Sequence, residues 1–121
     1  MNYIISGKVI RGDHYGRTIG FPTINLSRSN FLGMLKRPAF GVYAGVVFLG
    51  DKKYQAGIII GPLDIKGLPK IEAHLLEFTG DTYGQRATFE IKKFLRKFKK
   101  FKTEKELIAQ IKKDLKQCSQ V

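Results

Sequence analysis

The run VYAGVVFL at residues 42–49 is followed by Gly50, Asp51 and Lys52, and then by KYQAGIII at residues 53–60. Both runs are rich in β-branched and aromatic side chains, which are typical of β-strands. The glycine and aspartate between them are residues that tight turns favour. The whole segment therefore predicts a β-hairpin with its tip at residues 50–52.

Three further runs have the same composition, at residues 3–10, 71–78 and 87–94. Glycine-containing turn signals separate the runs. Many short strands with no helices between them predict an all-β domain, either an antiparallel barrel or a sandwich. The turn signals lie at residues 12–13, 50–51, 61–62, 67 and 80–81.

The C-terminal segment has the pattern of an α-helix. Thr103 and Glu106 form a capping box, in which the hydroxyl and the carboxylate accept hydrogen bonds from exposed backbone N–H groups. Apolar residues then recur at helical spacing, with lysines on the other face. We expect this helix to pack across one side or one end of the β-domain. The apolar residues are Leu107, Ile108, Ile111 and Leu115.

A chain of 121 residues, 43% of them hydrophobic, is long enough to form one domain with its own core. The single cysteine, Cys118, excludes an intramolecular disulfide, and no cysteine or histidine cluster in the sequence offers a zinc site. The sequence contains neither a signal peptide nor the roughly 20 apolar residues of a membrane-spanning helix. We therefore expect a cytoplasmic protein with no membrane partner.

The formal net charge is +12, and half of the 22 basic residues lie between Lys92 and Lys116. Such a field attracts nucleic acid or anionic membranes, or raises the encounter rate with anionic nucleotides. A surface that is basic only for solubility would have the same composition.

Residues 16–25 read GRTIGFPTIN. The glycines allow positive φ and close approach of the backbone to a ligand, and the proline fixes φ just before Thr23 and Asn25. Side chains two residues apart in an extended segment point to the same face. Two neutral oxygens so placed suit a Mg²⁺ ion that already carries phosphates, because Mg²⁺ needs few protein ligands. The same residue types also occur in ordinary turns.

Glu72 and His74 lie two residues apart in the strand-like run at 71–78 and so share a face. Composition alone favours a solvated Glu72, because glutamate is mostly exposed. A carboxylate placed in a site could instead accept a proton from a hydroxyl group. We expect His74 to pack or hydrogen-bond within the strand.

Three stretches of the sequence, taken in order, resemble the riboflavin kinase (flavokinase) family, and the resemblance covers about residues 5–114. The stretches are GRTIGFPTIN at 16–25, PAFGVYA at 38–44 and IEAHLLEF at 71–78. The resemblance implies a closed antiparallel, Greek-key-like β-barrel of about six strands with a C-terminal α-helix. It implies a single kinase domain, 1–121, with the barrel at about 1–101 and the helix at about 103–117. The adenylyltransferase domain of bifunctional FAD synthetases lies outside the resemblance, so a stand-alone kinase domain is expected.

The resemblance also implies phosphorylation of riboflavin at the ribityl 5′-hydroxyl by ATP with Mg²⁺, giving FMN and ADP, in a monomer. In this resemblance Glu72 matches the proposed general base, and Thr23 and Asn25 match residues that reach Mg²⁺. Arg96 and Phe101 match the part that closes over the flavin. The loop whose backbone amides surround the phosphates corresponds to Gly12, Gly16, Arg17 and Gly20.

The sequence lacks the P-loop and the dinucleotide-binding fingerprint, so nucleotide binding must use a loop at the barrel mouth. It also departs from the family, which usually has Asn-Ile-Gly and then Pro-Thr-Phe. Here the corresponding residues are 59–61 (Ile-Ile-Gly) and 62–64 (Pro-Leu-Asp). This departure lies near the substrate pocket of the family and bears on substrate affinity.

The phenylalanines and lysines at residues 94–101 have three interpretations. They could close over a flavin, stack on and neutralise single-stranded nucleic acid, or pack a strand end onto the helix. The alternative function is therefore a basic binding module, for nucleic acid or for flavin without turnover.

Overall fold

A computed structural model describes residues 2–11, 20, 21, 23–78 and 82–121, and within them six antiparallel strands close into a barrel. The order around the barrel is β1-β2-β5-β4-β3-β6, with β6 paired to β1. The predicted all-β barrel is confirmed, and the sandwich alternative is wrong. The strands are β1 (Tyr3–Ile10), β2 (Ile24–Leu26), β3 (Gly41–Leu49), β4 (Lys52–Leu63), β5 (Pro69–Leu75) and β6 (Arg86–Arg96).

The β3–β4 hairpin has its tip where the sequence predicts it. Leu49 pairs with Lys52, so Gly50 and Asp51 form a two-residue loop in which Gly50 has a φ of +61°. Three strands end elsewhere than predicted: β4 continues to residue 63, β6 continues to residue 96, and β5 runs from residue 69 to residue 75 instead of from 71 to 78. The early end of β5 has a local cause, a turn at residues 76–77 in which Glu77 has a φ of +56°.

β2 is a strand where the residue types also allowed an ordinary turn. All three of its residues pair with β5, and two of them, Asn25 and Leu26, also pair with β1. Asn25 lies opposite Ile10 on one side and Glu72 on the other. Three residues are too few for an alternating pattern to be visible in the sequence. A short 3-10 helix, Arg28–Gly33, follows β2 and places Phe31 in the core.

Alternate residues of β4 and β5 fill the barrel interior, among them Ile58, Ile60 and Ile71. The intervening residues, which include Ile59 and Glu72, therefore face the outside of the barrel. Part of this outer face is covered by the C-terminal helix.

The helix α1, Glu104–Cys118, begins with the predicted cap. Thr103 Oγ1 accepts the Glu106 backbone N–H at 3.2 Å, and the Glu106 carboxylate accepts the Lys102 backbone N–H at 3.1 Å. The helix packs against β3 and β4. Its buried residues are Asp114 and Cys118, while the predicted apolar stripe is only half-buried. Across the described residues, no helix has both the length and the apolar character to cross a membrane.

Gly45→Ala is expected to destabilise the barrel. Gly45 lies beside a register shift between β3 and β6, and a Cβ there would overlap the Glu90 carbonyl oxygen and come within 2.9 Å of Ile58 Cδ1. Because these neighbours belong to a closed, packed sheet, we expect urea denaturation to give a loss of about 1–3 kcal/mol, the range for overpacking. Gly33→Ala is the matched control, since no described atom lies within 4 Å of its Cβ position. Equal losses in the two variants would contradict the steric explanation.

The thiol of Cys118 is expected to react slowly in the folded protein. Burial, and after it the negative charge of Asp114, raises the pKa of this thiol from 9.0 to about 11. The reactive thiolate is then scarce at pH 8, so a disulfide reagent should modify the native protein far more slowly than the urea-unfolded one. The chain has a single cysteine, so the signal comes from this thiol alone. Equal rates in the native and unfolded states would contradict the burial.

The same pKa shift gives a pH dependence of stability. Because the folded state holds its proton more tightly, this thiol should leave stability unchanged below about pH 9 and lower it as the pH rises from there towards about 11. Comparison of wild type with Cys118→Ala by denaturation at several pH values isolates the effect. The two curves should approach each other over this window, and parallel curves would contradict the shifted pKa.

Candidate active site

Strand register brings several of the predicted site residues into one row on the outer face of the barrel. Asn25 of β2 lies opposite Glu72 of β5, and Glu72 lies opposite Ile59 of β4. Ile59 in turn lies opposite Val42 of β3, which lies opposite Arg96 of β6. With neighbouring strands about 4.8 Å apart, the row follows the sheet for roughly 19 Å. One predicted metal residue, the predicted base and one predicted flavin residue therefore share one row. Thr23 lies just before β2, and Phe101 lies between β6 and the helix.

The helix α1 and the segment before it enclose a cavity of about 250 Å³ over this row. Its walls are largely apolar, and polar groups lie at both ends of the row. Thr23, Lys70, Glu72 and His74 line the end formed by β5, and Arg96 and Asp114 line the end formed by β6 and α1. The apolar walls include Ile59, Pro62, Phe98, Phe101, Leu107 and Ile111.

Glu72 is buried at this site, with a relative exposure of 8%. Its Oε2 accepts a hydrogen bond from Thr23 Oγ1 at 3.2 Å and lies 3.4 Å from the ammonium nitrogen of Lys70. A buried carboxylate requires such hydrogen-bond and charge partners. The solvated interpretation of Glu72 is therefore wrong.

The donor set beside Glu72 fits a magnesium ion. Thr23 donates its hydroxyl hydrogen to Glu72, so the lone pairs of Oγ1 remain available to a cation. Asn25 lies opposite Glu72 in the register, and its neighbours Ile24 and Leu26 belong to the core, so the Asn25 amide faces outward. Oxygen ligands of this kind suit Mg²⁺. Within the described ranges no cluster of three or more acidic, histidine or cysteine side chains exists.

Arg96 is paired with an aspartate that the sequence did not bring to attention. Its Nε lies 3.0 and 3.1 Å from the two carboxylate oxygens of Asp114, and its Nη2 lies 2.8 Å from Asp114 Oδ2. The Arg96 guanidinium carbon is 6.0 Å from the centre of the Phe101 ring. Asp114 belongs to no motif. Its position between Ile111 and Cys118 places it on the apolar face of the helix, and this spacing indicates that the side chain is buried.

Two residues near the phosphate loop are described. Gly20 has a φ of +91°, a conformation that favours glycine, and the ring of Phe21 meets that of His74 edge-on at 6.4 Å. His74 is buried, in agreement with a packing role. The other predicted phosphate-loop residues, Gly12, Gly16 and Arg17, lie outside the described residues, as do the turns predicted at 12–13 and 80–81.

The segment that departs from the family forms one wall of the cavity. Ile59, Gly61 and Pro62 line it, and Gly61 has a φ of +94° before a cis peptide bond to Pro62. Asp64 then accepts backbone N–H groups of Leu68 and Lys66, at 3.0 and 2.9 Å. These hydrogen bonds, that of Leu68 first, lower the pKa of the Asp64 carboxyl group. The segment therefore ends in an ordered turn at residues 64–68, and the apolar side chain that it presents to the cavity from β4 is that of Ile59.

A family model described as riboflavin kinase (Flavokinase) matches residues 1–121. The chain belongs to the riboflavin kinase family. It is 38% identical over 115 residues to the bifunctional riboflavin kinase/FMN adenylyltransferase of Escherichia coli strain K12, with 93% of this chain and 36% of that protein covered. The chain thus spans about a third of the length of the curated relatives it matches.

Solved structures have the same fold. A Streptococcus pneumoniae protein described as a macrolide-efflux protein superposes with a TM-score of 0.80 at 30% identity, over 93% of this chain and 37% of that one. The riboflavin kinase of Trypanosoma brucei superposes with a TM-score of 0.68 at 21% identity, over 98% of this chain and 78% of that one. The family predicted from residues 16–25 and 71–78 is confirmed, and so is the barrel that it implied.

Proposed function

We propose that this chain transfers the γ-phosphoryl group of ATP to the 5′-hydroxyl of riboflavin and releases FMN and ADP. The observation that carries the proposal is the buried carboxylate of Glu72 in the cavity of a chain that matches the riboflavin kinase family over its full length. An apolar cavity with polar groups at both ends suits an aromatic ring system that carries a polar chain.

Glu72 is the general base of the proposed reaction. The hydroxyl oxygen of the ribityl chain forms a bond to the γ-phosphorus, the bond from that phosphorus to the β–γ bridging oxygen breaks, and the hydroxyl proton passes to the Glu72 carboxylate. Thr23 and Lys70 hold this carboxylate through the contacts at 3.2 and 3.4 Å. A fixed carboxylate beside the acceptor hydroxyl lowers the entropic cost of reaching the reactive geometry.

Thr23 and Asn25 are the residues that would hold a magnesium ion brought in with the nucleotide. When bound, Mg²⁺ supplies charge neutralisation on the terminal phosphates. Both side chains are neutral, so affinity for the free ion should be low and affinity in the presence of nucleotide much higher. At the other end of the row, we assign Arg96 and Phe101 to the flavin ring.

Backbone amides of the loop that holds Gly12, Gly16 and Gly20 are assigned to the nucleotide phosphates, with Arg17 as an added charged donor. Support for this assignment comes from the match to the family in residues 16–25 and from the positive φ of Gly20.

The proposal is tested by incubating the purified protein with riboflavin, ATP and Mg²⁺ and separating the flavins by reversed-phase chromatography. We expect a peak of FMN that depends on ATP, and an equal amount of ADP. A folded protein that forms no FMN above the ATP-free control would contradict the proposal.

The monomeric state and the cytoplasmic location stay predictions, as does the lack of a nucleic-acid partner. The nucleic-acid alternative is tested by titrating a mixed-sequence oligonucleotide at low salt and again at higher salt. Binding through the basic residues would weaken steeply, by roughly one unit of log-log slope per phosphate contact. We expect no such binding.

A further inference from the structure

The ion pair between Arg96 and Asp114 joins the barrel to the helix at one end of the cavity. Arg96 is the last residue of β6 and Asp114 lies in the last third of α1. Both side chains are largely buried, with relative exposures of 16% and 8%, and both line the cavity. Bidentate pairing fixes the plane of a guanidinium group, which a single contact would leave free to turn.

The contacts of Arg96 leave part of its donor capacity for a ligand. A guanidinium group carries five N–H bonds. The described residues engage three of them, one from Nε and one from Nη2 with Asp114 and one from Nη1 with the Lys97 carbonyl oxygen at 3.2 Å. Two N–H bonds remain, and their directions are set by the orientation that Asp114 imposes.

Asp114 is itself held by a neighbour on the same helix. Gln110 Nε2 donates to Asp114 Oδ1 at 2.9 Å, and Gln110 Oε1 accepts from the Lys99 ammonium group at 3.3 Å. Lys99 also lines the cavity. The chain of contacts from Lys99 through Gln110 and Asp114 to Arg96 therefore connects the segment before α1, the helix and the barrel.

We infer that Asp114 is a positioning residue for the phosphoryl acceptor, which it orients through Arg96 at the end of the row opposite Glu72. This inference rests on the proposed function. Carbonyl oxygens of a flavin ring are acceptors that match the two remaining N–H bonds of Arg96. Because the pair lies three strands away from Glu72 in the row, it acts on binding of riboflavin and leaves binding of ATP and the phosphoryl-transfer step nearly unchanged.

Asp114→Asn tests the inference, because the amide has nearly the shape of the carboxylate but no negative charge. It faces the guanidinium group either with its NH₂ group, which cannot accept a hydrogen bond, or with its oxygen, which is a weaker acceptor than a carboxylate. We expect the KM for riboflavin to rise about 10-fold, a loss typical of one charge-assisted contact. The kcat should stay within about 3-fold and the KM for ATP should not change. The reason is that the lost contact stabilises bound riboflavin equally in the ground state and in the transition state. The matched control is Asp51→Asn at the exposed hairpin tip, which should leave all three values unchanged.

A double-mutant cycle with Arg96→Met separates positioning from a purely structural role. If Asp114 acts through Arg96, Asp114→Asn should have no further effect on the dissociation constant for riboflavin once residue 96 is methionine. That constant is measured by quenching of riboflavin fluorescence, which needs no turnover. An Asp114→Asn protein that is less stable but has wild-type KM and dissociation constant for riboflavin would overturn the inference, and so would equal rises in the KM of both substrates.

If Asp114→Asn does not fold, Gln110→Leu is the substitute, since it removes the donor to Asp114 and keeps the ion pair. We then expect a rise of about 3-fold in the dissociation constant for riboflavin, a smaller effect than that of Asp114→Asn because the ion pair itself is kept. An unchanged constant would overturn the inference. A wild-type protein that binds riboflavin but forms no FMN would contradict the proposed function alone, and one that binds no riboflavin would overturn both.

Discussion

Replacement of Glu72 by glutamine is expected to lower kcat for FMN formation by roughly 10²–10⁴, the range for loss of a general base. The amide is nearly isosteric with the carboxylate and can still accept the hydrogen bond from Thr23 Oγ1, which lies 3.2 Å from Glu72 Oε2. It cannot take a proton from the acceptor hydroxyl. The KM values for riboflavin and ATP should therefore change much less than kcat, as measured by chromatography of FMN at saturating substrates.

Glu104→Gln is the matched control, because Glu104 is an exposed carboxylate in the first turn of α1. It should keep wild-type turnover. Circular dichroism should show both variants folded, although Glu72→Gln also removes the ion pair with Lys70. Wild-type turnover in Glu72→Gln would make Glu72 a buried structural partner of Lys70 and Thr23 and would end its assignment as the base.

Local signals in the sequence predicted most of the barrel. The hairpin at residues 50–51, the first strand and the Thr103 cap each depend on residues close in sequence, so composition and turn chemistry were enough to locate them. β2 was different, because it is a strand only through its pairing with β1 and β5, which come from distant parts of the chain. Local propensity does not contain that information.

The candidate site, like the barrel, was predicted from the sequence only in part. Residue types and order identified Asn25, Glu72 and Arg96, but their common row depends on the register of five strands, which no single segment determines. The pairing of Arg96 with Asp114 depends on how α1 lies on the barrel. Gly57 is part of that contact, since a Cβ there would lie 3.4 Å from both Cys118 Sγ and a methyl carbon of Leu115.

The burial within α1 shows the limit of a periodic pattern. Spacing identified the apolar stripe, and the stripe does face the cavity through Leu107, Ile111 and Leu115. These three side chains stay half-buried at the cavity wall, whereas Asp114 is covered by its ion pair with Arg96 and Cys118 lies against Gly57. An acidic residue on the apolar stripe of a helix therefore indicates a buried ion pair, because burial of a carboxylate requires a paired cation.

Thr23→Val is expected to raise the Mg²⁺ concentration that gives half-maximal turnover at fixed ATP by roughly 10- to 100-fold, since even loss of an outer partner of a metal ligand has effects of this size. Valine keeps the β-branched shape, so the short strand that follows should still form. The variant loses the Oγ1 lone pairs that we assign to the cation and also the hydrogen bond to Glu72. Affinity for ATP without Mg²⁺ should be unchanged.

Two comparisons assign the effect to the hydroxyl group. Thr23→Ser keeps the hydroxyl and should restore the wild-type Mg²⁺ requirement. Thr88→Val makes the same replacement at a β6 threonine whose Oγ1 is 2.8 Å from Ser6 Oγ, and neither of these two residues lines the cavity. It should leave the requirement unchanged.

The shape of the Mg²⁺ titration then distinguishes the two contacts that Thr23 could provide. A ligand to the cation affects the midpoint, because more Mg²⁺ is needed to fill a weakened site, and turnover recovers at saturation. A residue that only orients Glu72 affects the plateau, because no amount of Mg²⁺ restores the position of the base. A lowered plateau with a wild-type midpoint would therefore overturn the metal assignment and leave Thr23 as the hydrogen-bond donor that holds Glu72.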